Sequence, residues 1–173
     1  MFKNIFLASY PKSGNTWLRS IILSSLQQNN IINIKDLSKI RLLSDKMNFT
    51  SFKNKIYDKK GLIDYDWMSK NLILCQKKLN EKTKYNFFFK THSVRHKSFT
   101  NTTVNAGFIY IVRDPRDIVV SLSNFTGINL DEAINQIVFN KQLMTNANGA
   151  RELVSNWDLN IKSWLEYKSV PSL

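Results

Sequence analysis

Apolar residues along this chain follow two rhythms. Three short runs are almost continuously apolar: Asn4–Ser9 (NIFLAS), Tyr85–Thr91 (YNFFFKT) and Gly107–Val112 (GFIYIV). Runs of this length, rich in aromatic and β-branched residues, predict strands buried on both faces, as in a parallel sheet. Elsewhere apolar residues recur at helical spacing. Thr16–Gln28 (TWLRSIILSSLQQ) predicts a helix with an Asn or Thr available as N-cap, and Asp66–Leu79 (DWMSKNLILCQKKL) predicts a second. Pro115 opens a third, through Phe125, in keeping with proline at the first helical position. Leu130–Met144 begins with Asp131 and Glu132, which suit a helix N-terminus, and Glu152–Tyr167 predicts the last helix. Asn29–Ile63 is Lys- and Asn-rich with weak periodicity, so irregular structure with one short helix over Ile34–Leu43 is expected there. The tail, Ser169–Leu173, contains Pro171 and predicts no element.

Strands alternating with helices imply βαβ units: an α/β fold of three layers, with a central parallel sheet flanked by helices. At 173 residues the chain has room for one domain, spanning 1–173. In such sheets ligands bind at the carboxyl ends of the strands. The loops after NIFLAS, YNFFFKT and GFIYIV are therefore the places to look for chemistry.

Charge changes this picture little. The net charge of +12 admits an anionic partner, but the excess is mostly lysine scattered among asparagine and isoleucine, as in IRLLSDKMNFTSFKNKIYDKK. No basic face with interleaved stacking aromatics is discernible, which argues against a nucleic-acid module. No apolar run reaches the ~18 residues of a membrane span, and the opening MFKNIFLASYPK is too broken for a signal-peptide core, so a cytoplasmic location is expected. A single cysteine, Cys75, excludes an internal disulfide; its place in an apolar helical stretch predicts a core thiol.

All three strand ends carry polar chemistry. After the first comes Tyr10-Pro11-Lys12-Ser13-Gly14-Asn15-Thr16-Trp17. A strand, a tight glycine-bearing loop and a helix N-terminus make an anion site, because free backbone N–H groups and the helix dipole face the ligand. Lys12 adds positive charge; Ser13, Asn15 and Thr16 add side-chain donors. The lysine precedes the glycine, so this is not the GxxxxGK[ST] loop of nucleotide triphosphatases, and there is no clear Mg²⁺-binding Ser/Thr after a P-loop lysine. The second strand ends in Phe89-Lys90-Thr91-His92-Ser93. His92 stands where a general base is useful, and Lys90 is two residues earlier on the same side of an extended strand. The third ends in Arg113-Asp114-Pro115-Arg116-Asp117, with Ser121 two turns into the following helix. Arg113 suits bidentate phosphate binding, whereas Arg116 reads as a structural ion-pair partner of the neighbouring aspartates. His96 reads as an ordinary polar histidine.

YPKSGNTW, then FKTHS, then YIVRDPRDIVVSLSNF resembles, in order and chemistry, the sulfotransferase family that uses 3′-phosphoadenosine-5′-phosphosulfate (PAPS). SNWDLNIKSWL is similar to the helix that follows in bacterial members, so the likeness runs from about Phe6 to Trp164. The resemblance implies a P-loop-like fold and transfer of a sulfuryl group to an acceptor hydroxyl or amine, with no metal. It implies that Lys12 contacts the 5′-phosphate and bridging oxygen, that Ser13, Gly14, Asn15 and Thr16 cradle that phosphate, and that Trp17 stacks on adenine. Arg113 and Ser121 would hold the 3′-phosphate, His92 would take the acceptor proton, and Lys90 would offset charge on the sulfuryl oxygens. A complete domain of this kind would continue with a further core strand and a late basic loop. On that ground the fold is expected to be incomplete at its C-terminus. The acceptor, a small molecule or a glycan, would be met by variable loops, here 29–63 and the segment after Thr126, which carry no recognisable motif; nor does any motif bear on oligomeric state. Two other readings stay open: an inactive remnant that binds an adenine nucleotide, and a P-loop kinase for a small metabolite.

Overall fold

The computed structural model describes residues 3–27, 32–96, 100, 104–139, 143–145 and 151–166. Its centre is a parallel sheet of three strands, β1 (Asn4–Ser9), β2 (Phe87–Thr91) and β3 (Gly107–Ile111), in the order β2-β1-β3. Register pairs Phe6 with Phe89 on one side and Phe108 on the other, and Leu7 with Lys90 and Ile109. The same register brings the chain out of all three strands at one edge: Ala8 faces Thr91, and Ser9 faces Ile111.

Alternation along the strands sends successive side chains into two cores. Phe6, Phe89 and Phe108 join Met68, Leu72, Cys75 and Trp164 on one face. That face is covered by α2 (Tyr65–Lys70), α3 (Leu72–Lys82) and α6 (Trp157–Leu165). Leu7, Phe88 and Ile109 meet Leu18, Ile22 and Leu23 of α1 (Asn15–Gln27) on the other. This is the expected three-layer α/β fold with a parallel sheet between helices. A third apolar cluster, Tyr10, Ile118, Val119, Ala133 and Ile137, joins α4 (Pro115–Thr126) and α5 (Leu130–Phe139) beside the strand ends.

The local signals explain the element boundaries. Asp114 caps α4 by accepting the Arg116 N–H at 2.9 Å, Pro115 opens it, and Gly127 ends it at φ 76°, a left-handed position that glycine adopts without a Cβ penalty. Cys75 is buried, as expected, and donates to the Asn48 carbonyl at 3.2 Å; burial pushes its thiol up to about 12.

Four expectations need correction. The helix expected over Asp66–Leu79 is two, α2 and α3, because the chain turns at Asn71, whose side-chain amide is drawn back onto the Trp67 carbonyl at 2.8 Å. Asn29–Ile63 holds two 3₁₀ helices, Ile34–Lys39 and Lys46–Ile56, the first closed by a capping box between Asn33 and Asp36. The helix from Leu130 stops at Phe139 rather than Met144, and the last helix starts at Trp157 rather than Glu152. Between them Leu143–Thr145 (β4) pairs antiparallel with Arg151–Leu153 (β5), a pairing that overrides helical rhythm at both ends. Gln28, Asn29, Tyr167 and the tail Ser169–Leu173 lie outside the described residues. Among the described residues no helix is long and apolar enough to cross a membrane.

Candidate functional site

The site forms where the three strands end. From β1 the chain passes through Tyr10–Gly14 into α1, and the turn closes with Ser13 N–H on the Tyr10 carbonyl at 3.3 Å. Lys12 adopts φ 67° and Gly14 φ 106°. The second value is reachable at low cost only by glycine, and the first is an uncommon left-handed position for a side chain. Together they wrap the loop so that it leads straight into the N-terminus of α1, where helix geometry leaves the first N–H groups unbonded within the helix. Ser13 is buried and its hydroxyl has no protein partner. Asn15 is buried too, but its amide N–H₂ points inward, to Leu7 O at 2.9 Å and Ser9 Oγ at 3.2 Å. What Asn15 offers an anion is therefore its backbone N–H; its side chain ties the loop to β1. Thr16 and Trp17 stand exposed on the first turn of α1, Trp17 with 79% of its surface open.

Arg113 closes the loop from the other side. Its Nη1 donates to the Lys12 carbonyl at 3.1 Å, and its Nε lies 3.6 Å from Asp117. Arg113, Ser13, Gly14, Trp17 and Ile21 line one cleft of about 510 Å³. Ser121 sits half-buried in the second turn of α4. Arg116 takes the structural role expected of it: a two-pronged pair with Asp114 (2.6 Å at the closest) holds that carboxyl down at about 2. The Lys12 ammonium lies 3.9 Å from the centroid of the Phe125 ring on α4, a cation–π contact.

His92 follows β2 on the side of the sheet that faces α1. Its Nδ1 lies 2.8 Å from the Ser9 carbonyl, which can only accept, so Nδ1 carries the proton and Nε2 keeps its lone pair. Ser9 Oγ is 3.3 Å from the same nitrogen. Burial first, then the positive charge of Lys90, drive the imidazole pKa down to about 3 despite the bond to Ser9. His92 is accordingly a neutral imidazole. Lys90 is itself shifted below the usual lysine value, mainly by burial, with Arg19 adding to the effect and Glu152 opposing it. His96 stands apart, its N–H on Thr100 Oγ1 at 2.9 Å.

The structure thus links the three strand ends by hydrogen bonds: Arg113 to Lys12, Asn15 to Ser9, and Ser9 to His92. It also adds residues that sequence reasoning missed. Glu152, buried on β5, accepts from Thr91 Oγ1 at 3.1 Å and from the His92 N–H at 2.9 Å. Asn160, fully buried on α6, donates to the His92 carbonyl at 2.9 Å and accepts from the Tyr110 hydroxyl at 2.6 Å. Trp164 donates its indole N–H to the Ser93 carbonyl. The signal for Asn160 and Trp164 lies in SNWDLNIKSWL; Glu152 looks, in the sequence, like a helix start, which hides it.

A model of the sulfotransferase domain matches residues 2–172. Among solved structures, a mouse sulfotransferase, SULT7A1, complexed with PAP superposes with a TM-score of 0.51 at 19% identity, over 99% of this chain and 51% of that one. A retinol dehydratase in complex with androsterone and the inactive cofactor PAP gives a TM-score of 0.53 at 17% identity, over 98% of this chain and 53% of that one. At such identity these likenesses establish the fold, and the chain spans about half the length of either protein. No curated protein matches the sequence. With the match extending over almost its whole length, the chain belongs to the sulfotransferase domain family.

Proposed function

We propose that this chain binds PAPS between the loop after β1 and the start of α4, and that it serves transfer of the sulfuryl group to an acceptor hydroxyl or amine. The observation that carries the reading is a pair of links, Arg113 to Lys12 and Asn15 through Ser9 to His92, which set an anion loop beside an oriented neutral imidazole. The residues present fit the nucleotide. Ser13 Oγ is buried without a protein partner at the mouth of a cleft that Trp17 and Arg113 also line. In both structural relatives PAP, the desulfated form of the cofactor, is bound.

Bound PAPS supplies an activated sulfuryl group, whose bond to the 5′-phosphate oxygen breaks as the bond from sulfur to the acceptor oxygen or nitrogen forms, with 3′,5′-ADP leaving. The protein's share is binding, orientation and one proton. Backbone N–H groups of Gly14, Asn15 and Thr16 face the 5′-phosphate, with the dipole of α1 behind them. Lys12, released from Phe125, reaches the same oxygens, and Arg113 with Ser121 takes the 3′-phosphate. The exposed Trp17 ring is the stacking surface for adenine. His92 accepts the acceptor's proton at Nε2, while Ser9 holds the ring and stabilises the imidazolium that results. Lys90 offsets negative charge beside it. A bound polyanion also counters the positive charge that depresses His92, so the base strengthens once the site is filled.

Thermal unfolding of the 173-residue chain with and without 3′,5′-ADP tests this. A rise in melting temperature specific to 3′,5′-ADP, unmatched by ATP with Mg²⁺ and lost in Lys12→Ala and Arg113→Ala, is the expected result. A transition indifferent to 3′,5′-ADP sinks the reading; one that responds only to ATP with Mg²⁺ favours a kinase.

A further inference from the structure

A second cleft, of about 520 Å³, opens on the α1 side of β2 and shares no lining residue with the Trp17–Arg113 cleft. Three cations from three elements border it. Arg19 comes from the second turn of α1, Arg41 from the segment after the first 3₁₀ helix, and Lys90 from β2. Leu37 and Met47 supply apolar wall between them. Arg41 is pinned beside Lys90, whose N–H donates to the Arg41 carbonyl at 2.9 Å. Arg19 donates from Nη1 to the carbonyls of Leu37 (3.3 Å) and Ile40 (3.1 Å), while its buried Nε has no partner.

Counter-charge is scarce. Asp45 is the one acid among the lining residues, and its Oδ1 already accepts the Met47 N–H at 2.8 Å. Glu152 acts on Lys90 from the far side but is itself engaged by Thr91 and His92. Three cations drawn around one concavity, one of them with a buried unpaired N–H, are unfavourable until an anion enters. Lys90 is two residues from His92, and the charges of Lys90 and Arg19 both act on that imidazole, so an anion held in this cleft lies within electrostatic reach of the ring.

We propose that this cleft receives an oxyanion carried by the acceptor, a carboxylate, phosphate or sulfate, so that the acceptor is an anionic compound whose hydroxyl or amine is offered to His92 while its charge rests on Arg41, Arg19 and Lys90. This inference rests on the sulfuryl-transfer reading above. The apolar wall takes the carbon skeleton between the two polar ends, and the overall charge of +12 steers such acceptors in.

The test is a matched pair of probes, 4-hydroxyphenylacetate and its neutral isostere 4-hydroxyphenylacetamide, titrated calorimetrically into the full chain with 3′,5′-ADP present in excess. The acid is expected to bind roughly tenfold or more tightly than the amide, the margin of a charge-assisted contact in a partly buried site. Arg41→Gln should erase the preference and Arg41→Lys restore most of it, with 3′,5′-ADP affinity unchanged in both. Equal affinities, no binding of the acid, a preference that survives Arg41→Gln, or displacement of the acid by 3′,5′-ADP would each overturn the proposal. If 3′,5′-ADP fails to bind while the acid's preference stands, the sulfuryl-transfer reading falls and the cleft remains an oxyanion site. The opposite pattern removes only the cleft.

Discussion

The loop after β1 and the turn after β2 lie side by side at the same edge of the sheet, yet they are held by different means. The loop is shaped by its own backbone: two left-handed positions at Lys12 and Gly14, a closing bond from Ser13 to Tyr10, and the N-terminus of α1. Ser13 and Asn15 are buried within it, whereas Trp17 stands exposed and Lys12 rests on Phe125. The turn is shaped from a distance. Thr91, His92 and Ser93 are gripped by Glu152 of β5 and by Asn160 and Trp164 of α6, some 60 to 71 residues further along the chain. The difference suits the tasks proposed for the two regions. An anion can be met by backbone N–H groups that any sequence provides, once a glycine permits the wrap. A base needs one ring orientation and one tautomer, and those must be imposed by side chains whose polar atoms are already satisfied.

The widest separation between the two regions should come from paired substitutions. His92→Ala is expected to lower sulfuryl transfer by about 10²- to 10⁴-fold, measured with labelled PAPS and an acceptor, while leaving the melting shift caused by 3′,5′-ADP in place. Lys12→Ala should remove that shift. If the two variants behave alike, the loop and the turn are not separable and the comparison breaks.

A smaller effect isolates the distant support. Glu152→Gln keeps the shape but weakens the acceptor for Thr91 and His92, and should cost about 1–3 kcal/mol of stability in urea unfolding. Because these two bonds of Glu152 go to the turn, 3′,5′-ADP affinity should hold; a parallel loss of affinity would show the turn propping the loop.

The most gradual effect, spread over several pH units, is in pH. The folded His92 pKa of about 3 lies below the unfolded value near 6.5. Between these the unfolded chain binds the extra proton, so stability rises with pH through the window and is lost on acidification. The slope from this one group is at most about 1.4 kcal/mol per pH unit, and it should vanish from urea-unfolding data in His92→Gln. Binding of 3′,5′-ADP should move the imidazole upward in an NMR titration; an unmoved value would mean the nucleotide phosphates lie far from the base.

The same contrast explains what the sequence made legible. β1 and the loop after it, and β3 with the proline-opened α4, carry their instructions locally: apolar runs, Gly14, Asp114–Pro115, Gly127. Those elements lie within a residue or two of their expected bounds. What did not emerge depends on partners remote in sequence. Leu143–Thr145 continues the apolar rhythm of α5 and becomes a strand only because Arg151–Leu153 pairs with it. Glu152 looks like a helix start until that pairing turns its carboxylate toward His92. Asn15 carries the right donor type, but burial under β1 directs it inward. The second cleft could not be foreseen, since Arg19, Arg41 and Lys90 share no motif.

The position of Trp17 has an optical consequence. The chain holds four tryptophans. Trp164 is sealed in the core, Trp67 and Trp157 are half-buried, and only Trp17 is largely open to water, on the rim of the cleft with Arg113. The red edge of the emission therefore belongs chiefly to this indole, while Trp164 contributes to the blue. Occupancy of the cleft and integrity of the core can be followed as two colours in one cuvette, with no dye attached.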